Sequence, residues 1–89
     1  MTESRLTAKI VAELRRRKIW HVKIHGGPHQ RAGLPDLLLI VEGRAVWIEV
    51  KGDGGIVSPL QQHTLEQLRA AGCVAEVVRS FDDFLKLTS

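Results

Sequence analysis

Cysteine is almost absent from this chain of 89 residues, where Cys73 stands alone. A single thiol cannot close an internal disulfide or supply the paired thiols of a zinc ribbon. A reducing cytoplasm is therefore the expected compartment, and Cys73 is expected to pack in the core. Long apolar runs are lacking too, since none approaches the ~20 residues of a membrane span. The start, Met1-Thr2-Glu3-Ser4-Arg5, lacks the charged-then-apolar layout of a signal peptide. No internal repeat, low-complexity segment or linker is evident. Charge of one sign is also scarce: thirteen Lys and Arg against ten Asp and Glu give +3, which fits a nucleic-acid partner without requiring one. The length leaves room for one domain, residues 1–89, and so small a core makes dimerisation a reasonable expectation.

Periodicity supplies the elements. Leu6, Ile10, Val11 and Leu14 recur at helical spacing and predict a first helix from about residue 3 to 18, with Arg15-Arg16-Arg17-Lys18 at the end where cations suit the helix dipole. Residues 19–25 alternate as a half-exposed strand does, Trp20, Val22 and Ile24 against His21, Lys23 and His25, until Gly26-Gly27-Pro28 ends the run. Leu37 to Val41 and Ala45 to Val50 are apolar, β-branched-rich runs separated by Glu42-Gly43-Arg44, the pattern of a tight hairpin. Ser58, Pro59 and Gln61 fall at the N-cap, first and third positions of a helix running to about Ala71, stopped by Gly72. Val74 to Arg79 is a fourth strand. Ser80 caps a short last helix that turns Phe81, Phe84 and Leu85 inward.

The order is thus αβββαβα. The first three strands form a meander, and the third and fourth, joined through a helix, run parallel with a right-handed crossover. Leu38, Ile40 and Trp47 make one face of the hairpin apolar, and Leu37, Leu39, Val46 and Ile48 the other, so helices are expected over both.

The most telling residues frame that hairpin. Gly33-Leu34-Pro35-Asp36 precedes its first strand and Glu49-Val50-Lys51 closes its second. With Glu42 and Gly43 at the centre of the turn, pairing runs outward until Asp36 faces Glu49; a one-residue change in the turn places Asp36 opposite Val50 or Lys51 instead. In the first register the two carboxylates share a face with Cβ atoms roughly 5 Å apart, where like charges repel and a cation is needed between them. Mg²⁺ suits such a place, because it takes one or two carboxylates together with waters and phosphate oxygens. Strand alternation puts Lys51 on the face of Glu49. The set is equipped for phosphodiester hydrolysis, with an ion to activate water and an ammonium to orient it or to neutralise the developing anion.

These residues resemble the two halves of the PD-(D/E)XK nuclease motif, Pro35-Asp36 and Glu49-Val50-Lys51. More narrowly, the whole chain resembles a stand-alone VRR-NUC domain through Glu3 on the first helix, Gly33 ahead of Pro35-Asp36, Ser58-Pro59-Leu60-Gln61 opening the second helix, and Val77-Val78-Arg79-Ser80 near the end. The resemblance implies an α/β fold with a restriction-endonuclease-like αβββαβ(α) core, a mixed four-stranded sheet flanked by helices. It implies a Mg²⁺-dependent DNA endonuclease, with Mn²⁺ as an alternative ion, acting on branched DNA such as a four-way junction. By the same resemblance Asp36, Glu49, Glu3 and the backbone carbonyl of Val50 hold the metal, Lys51 assists the attacking water, and Gln61 completes the site. An intracellular protein of the kind carried by phages or mobile elements, working as a homodimer, fits that picture.

Each residue also has a plainer role. Asp36 can be a turn residue after Pro35, and an acidic residue at position 3 is favoured by the helix dipole alone. Gln61 is claimed twice, by the capping box and by the site, and one amide orientation is not expected to serve both. His25 and His29 have a zinc-like spacing but flank a turn with no second ligand pair, so His25, His29 and the helical His63 are expected at the surface. Arg31, Lys23, Arg15 and Arg16 are candidates for phosphate contacts, although a charge run on a helix is usually a solvated face. The competing readings are a DNA-binding module or nuclease subunit that needs a partner to cut, and a hydrolase of small phosphoesters.

Overall fold

The computed structural model describes all 89 residues. Helix α1 spans Glu3–Arg16, followed by strands β1 (His21–Lys23), β2 (Leu37–Val41) and β3 (Arg44–Val50), helix α2 (Pro59–Ala70), strand β4 (Val74–Val78) and helix α3 (Phe81–Leu87). The sheet order is β1-β2-β3-β4, antiparallel between the first three and parallel between β3 and β4. This is the expected mixed four-stranded sheet with helices packed against it.

Local chemistry accounts for the ends. Thr2 caps α1, its hydroxyl accepting from the Arg5 amide, and Ser58 and Ser80 do the same for the Gln61 and Asp83 amides. The first helix stops two residues earlier than its charge run suggests. Lys18 takes a left-handed φ of 57°, which turns the chain back toward the sheet. Glu42 and Gly43 have φ of 51° and 77°, both positive as a type I′ hairpin turn requires, and this fixes the register as Val41 with Arg44, out to Leu37 with Ile48.

The core lies on one side of the sheet. Leu6, Ile10 and Leu14 of α1 and Phe84 of α3 pack on Leu37, Leu39, Val46, Ile48, Val50 and Val78, all essentially inaccessible. The other side is covered only in part, contrary to the expectation of helices over both faces. Helix α2 packs over β4, burying Leu65 and Ala75, but it is too short to reach the far strands. Trp20 (61 % exposed), Val22 (39 %) and Ile40 (39 %) therefore stay open to water. β1 is also shorter than the alternation over residues 19–25 suggested: it pairs through His21, Val22 and Lys23, with one bond beyond each end, Ile40 amide to Trp20 carbonyl and Ile24 amide to Asp36 carbonyl. Cys73 sits half-buried between α2 and β4 rather than in the core.

Candidate active site

The register set by the hairpin turn decides what meets at the open end of the sheet. Pairing of β2 with β3 ends at Leu37 opposite Ile48, so Asp36 lies just beyond the ladder beside the end of β3, where Glu49 alternates with the core residues Ile48 and Val50. The Asp36 carbonyl accepts from the Ile24 amide at 2.8 Å, which ties the residue to the chain leaving β1. Its side chain is held from the other direction, with Oδ2 accepting from the Val50 amide at 2.8 Å. The loop before it is set by Gly33, whose φ is +83° and where a Cβ would lie 2.7 Å from Leu60 Cγ and 3.2 Å from Thr64 Oγ1. That close approach seats the 33–36 turn on the first turns of α2 and buries Pro35.

Glu49 is the deepest polar group in the molecule, 2 % exposed. One oxygen is well supplied: Oε2 accepts from Gln61 Nε2 at 3.1 Å and lies 3.4 Å from Lys51 Nζ. The other, Oε1, is wholly buried with no hydrogen-bond partner. Burial, and then the nearby negative charge of Asp36, push the Glu49 carboxyl up to about 7, against the opposing pull of Lys51. A buried carboxylate with an orphaned oxygen beside a second carboxylate is costly unless a positive charge completes it.

The third carboxylate arrives from α1. Glu3 is exposed at the first turn of the helix, and Glu3, Asp36 and Glu49 each present an oxygen within 4.8 Å of the other two. Three oxygen donors so placed match what a hard divalent cation takes, with waters or phosphate oxygens filling the remaining positions. The residues present therefore fit such an ion, and Glu49 still has an acceptor, Oε1, that no protein donor uses.

Gln61 overturns one expectation. Its Oε1 accepts from the Ser58 amide at 2.9 Å, closing the capping box, while Nε2 of the same amide donates to Glu49. The two roles coexist because they use opposite ends of one side chain. Lys51 lies where strand alternation put it, only 14 % exposed and beside Glu49.

The cations divide. Arg15 and Lys23 line a cleft of about 460 Å³ together with Glu3, Thr7 and Asp36, and both border the next hollow, beside His21 and His25. Arg31 lines a third hollow, formed with Gly33 and Asp36. Arg16 stands apart from all three. It forms a bidentate pair with Glu13 at 2.7 and 2.8 Å, and this pair, with Arg17, holds Glu13 down at about 2. His25, His29 and His63 are all exposed, as expected. Sequence reasoning missed the Val50 amide as the clamp on Asp36. It had no signal to find it by, since every residue but proline carries that donor.

An aspartate, a glutamate and a lysine brought together at one end of a mixed four-stranded sheet, with helices packed against it, are the arrangement of a nuclease of the PD-(D/E)XK type. The model of the VRR-NUC domain matches residues 2–82. Among solved structures, one described as a VRR-NUC domain protein superposes with a TM-score of 0.84 at 22 % identity, covering 98 % of this chain and 84 % of that one. Another, described as a VRR-NUC domain, gives 0.80 at 28 % identity, covering 98 % and 95 %. No curated protein matches the chain. The chain belongs to the VRR-NUC family and is a nuclease-type, DNA-processing domain.

Proposed function

We propose that this protein is a divalent-metal-dependent DNA endonuclease, formed as one domain over residues 1–89, and that Mg²⁺ is its natural ion with Mn²⁺ as a substitute. The observation that carries the reading is the convergence of Glu3, Asp36 and Glu49, an oxygen of each within 4.8 Å of the other two, at a glutamate that also has a buried oxygen without a partner. Asp36, Glu49 and Glu3 would hold the ion, with the Val50 carbonyl as a further ligand. A bound Mg²⁺ would supply Lewis-acid stabilisation of phosphate charge and a more acidic water.

The chain's own residues do the rest. Lys51 sits against Glu49 with its side chain largely shielded from solvent, and would orient a water and neutralise charge as the phosphodiester is attacked. Gln61 holds Glu49 by one oxygen and leaves the other free to ligate. Arg15 and Lys23 line the cleft that ends at Asp36 and would carry the phosphates of the strand leading into the site, with Arg31 on the far side of the aspartate. Arg16, already paired with Glu13, would contribute only by exchanging that partner for a phosphate.

Branched DNA is the proposed substrate and a two-fold dimer the proposed form. So small a domain offers little binding surface, and a symmetric pair presents two sites to a symmetric junction. The open apolar face around Trp20, Val22 and Ile40 supports pairing, because an exposed apolar cluster on a small protein favours contact with another chain.

The test compares wild type with Asp36→Ala and Lys51→Ala on linear, flapped and four-way DNA, in Mg²⁺ or Ca²⁺, with light scattering at the working concentration. Cutting by wild type in Mg²⁺, lost in both variants while binding in Ca²⁺ persists, is the expected result. Binding without cutting by any form would instead establish a DNA-binding module. A strict monomer fully active on junctions would remove the dimer.

A further inference from the structure

We infer that Gly52 is a positioning residue for the metal site: by carrying no side chain, it lets the backbone that follows Lys51 lie against the start of α1 and so sets where Glu3 stands relative to Asp36 and Glu49. The inference rests on the metal-site reading above. Glu3 is exposed, and what places its carboxylate is the position of its backbone.

That backbone is held from one side by the segment that also carries Lys51. A Cβ on Gly52 would lie 2.4 Å from the Glu3 amide nitrogen, 2.9 Å from the Thr2 carbonyl carbon and 3.0 Å from the Met1 carbonyl oxygen. All three are main-chain atoms, so no side-chain rotation can make room. The next residue adds a bond in the same direction, as the Asp53 amide donates to the Met1 carbonyl at 3.1 Å.

The loop is itself anchored to the sheet. Lys51 donates its amide to the Val78 carbonyl at 3.0 Å, Gly55 donates its amide to the Gly52 carbonyl at 3.0 Å, and Arg79 Nη1 donates to the Gly55 carbonyl at 2.8 Å. A continuous chain of main-chain contacts therefore runs from β4 through residues 52–55 to the first turn of α1. The Met1 ammonium paired with the Asp53 carboxylate ties the same two segments together, but both ends of that pair are exposed, and the buried anchors of α1 begin only at Leu6, one turn further along. Outer contacts that orient a ligand typically change metal affinity by about 10- to 100-fold when broken.

Isothermal titration with Mn²⁺, on full-length protein stripped with EDTA and without DNA, reads the coupling directly. Gly52→Ala is expected to keep the circular-dichroism spectrum of the fold and to weaken Mn²⁺ by about 10- to 100-fold, as Glu3→Gln does. Added to Glu3→Gln, it is expected to change affinity less than about twofold, because the residue it positions is already lost. Wild-type Mn²⁺ affinity in a folded Gly52→Ala protein would overturn the inference. So would full additivity with Glu3→Gln, which would make Gly52 a packing contact only. Failure of wild type itself to bind Mn²⁺ would overturn the metal-site reading, and this inference with it.

Should Gly52→Ala not fold, hydrogen exchange at the Asp53 amide serves in its place. Mn²⁺ itself broadens resonances, so exchange is followed by mass spectrometry of the peptide spanning residue 53. Slower exchange on adding Mn²⁺ to wild type but not to Glu3→Gln is expected. No difference between the two proteins would refute the coupling.

Discussion

Gln61 and Glu49 are joined by a single hydrogen bond, Nε2 to Oε2 at 3.1 Å, and the other end of the same amide closes the cap of α2 on the Ser58 amide. The start of a helix and the deepest carboxylate of the site thus share one side chain. Truncation of Gln61 acts on both.

Gln61→Glu separates the two roles. Glutamate serves the capping box as well as glutamine does, so α2 is expected to persist by circular dichroism. The new carboxylate, however, meets Glu49 instead of donating to it. Cleavage is expected to fall at least about tenfold, the equivalent of ~1.4 kcal/mol in the barrier. Gln61→Ala should lose both, with a further stability cost of about 0.5–2 kcal/mol in urea unfolding. Wild-type cleavage by Gln61→Glu would remove Gln61 from the site.

The state of Glu49 makes stability depend on pH. Its carboxyl is raised from 4.5 to about 7 in the folded protein, mainly by burial. The folded state therefore keeps its proton longer than the unfolded chain. The benefit is complete below the unfolded value and disappears as pH rises through 7, at a cost of at most on the order of 3 kcal/mol. In EDTA, Glu49→Gln should gain stability relative to wild type between pH 5 and pH 8. Adding Mg²⁺ should restore wild type at pH 8, and Mg²⁺ affinity should drop below pH 7 as the proton competes. Parallel pH profiles for the two proteins would show that burial leaves Glu49 unperturbed.

Lys51→Met should leave the fold intact, since an unbranched apolar side chain of similar length can fill the largely buried space of the lysine stem while only the ammonium beside Glu49 is lost. Single-turnover cleavage is expected to fall about 10²- to 10³-fold, the usual effect of removing one charge-stabilising donor, with DNA affinity in Ca²⁺ almost unchanged. A comparable loss of affinity would mean that Lys51 binds the substrate rather than acting on the reaction.

The hairpin was legible because its turn chemistry is specific. Glu42-Gly43 fixes the register out to Leu37 opposite Ile48, which leaves Asp36 and Glu49 neighbours at the end of the ladder, and Lys51 lies beside Glu49 as alternation requires. The Ser58-Pro59-Gln61 cap was legible for the same local reason. Long-range docking was not. The seat of Glu3 beside Asp36 depends on how the start of α1 meets the 52–55 loop, fifty residues away, and only family resemblance pointed to it. The depth of Glu49 depends on where α2 lies, and the open face around Trp20 on where α2 stops. Neither is written in the strands themselves.

Gly33→Ala tests the seating of the aspartate loop. Both the positive φ and the 2.7 Å approach to Leu60 oppose a side chain, so a loss of about 1–3 kcal/mol in urea unfolding is expected. Activity per folded molecule should fall as well, because Asp36 follows three residues later. A neutral substitution would mean that the loop adjusts without moving Asp36.

Anomalous diffraction from crystals soaked in Mn²⁺ addresses the central claim most directly. A peak about 2.1 Å from carboxylate oxygens of both Asp36 and Glu49, absent from Asp36→Asn crystals, is the predicted result. Full occupancy elsewhere with nothing between those two side chains would contradict it.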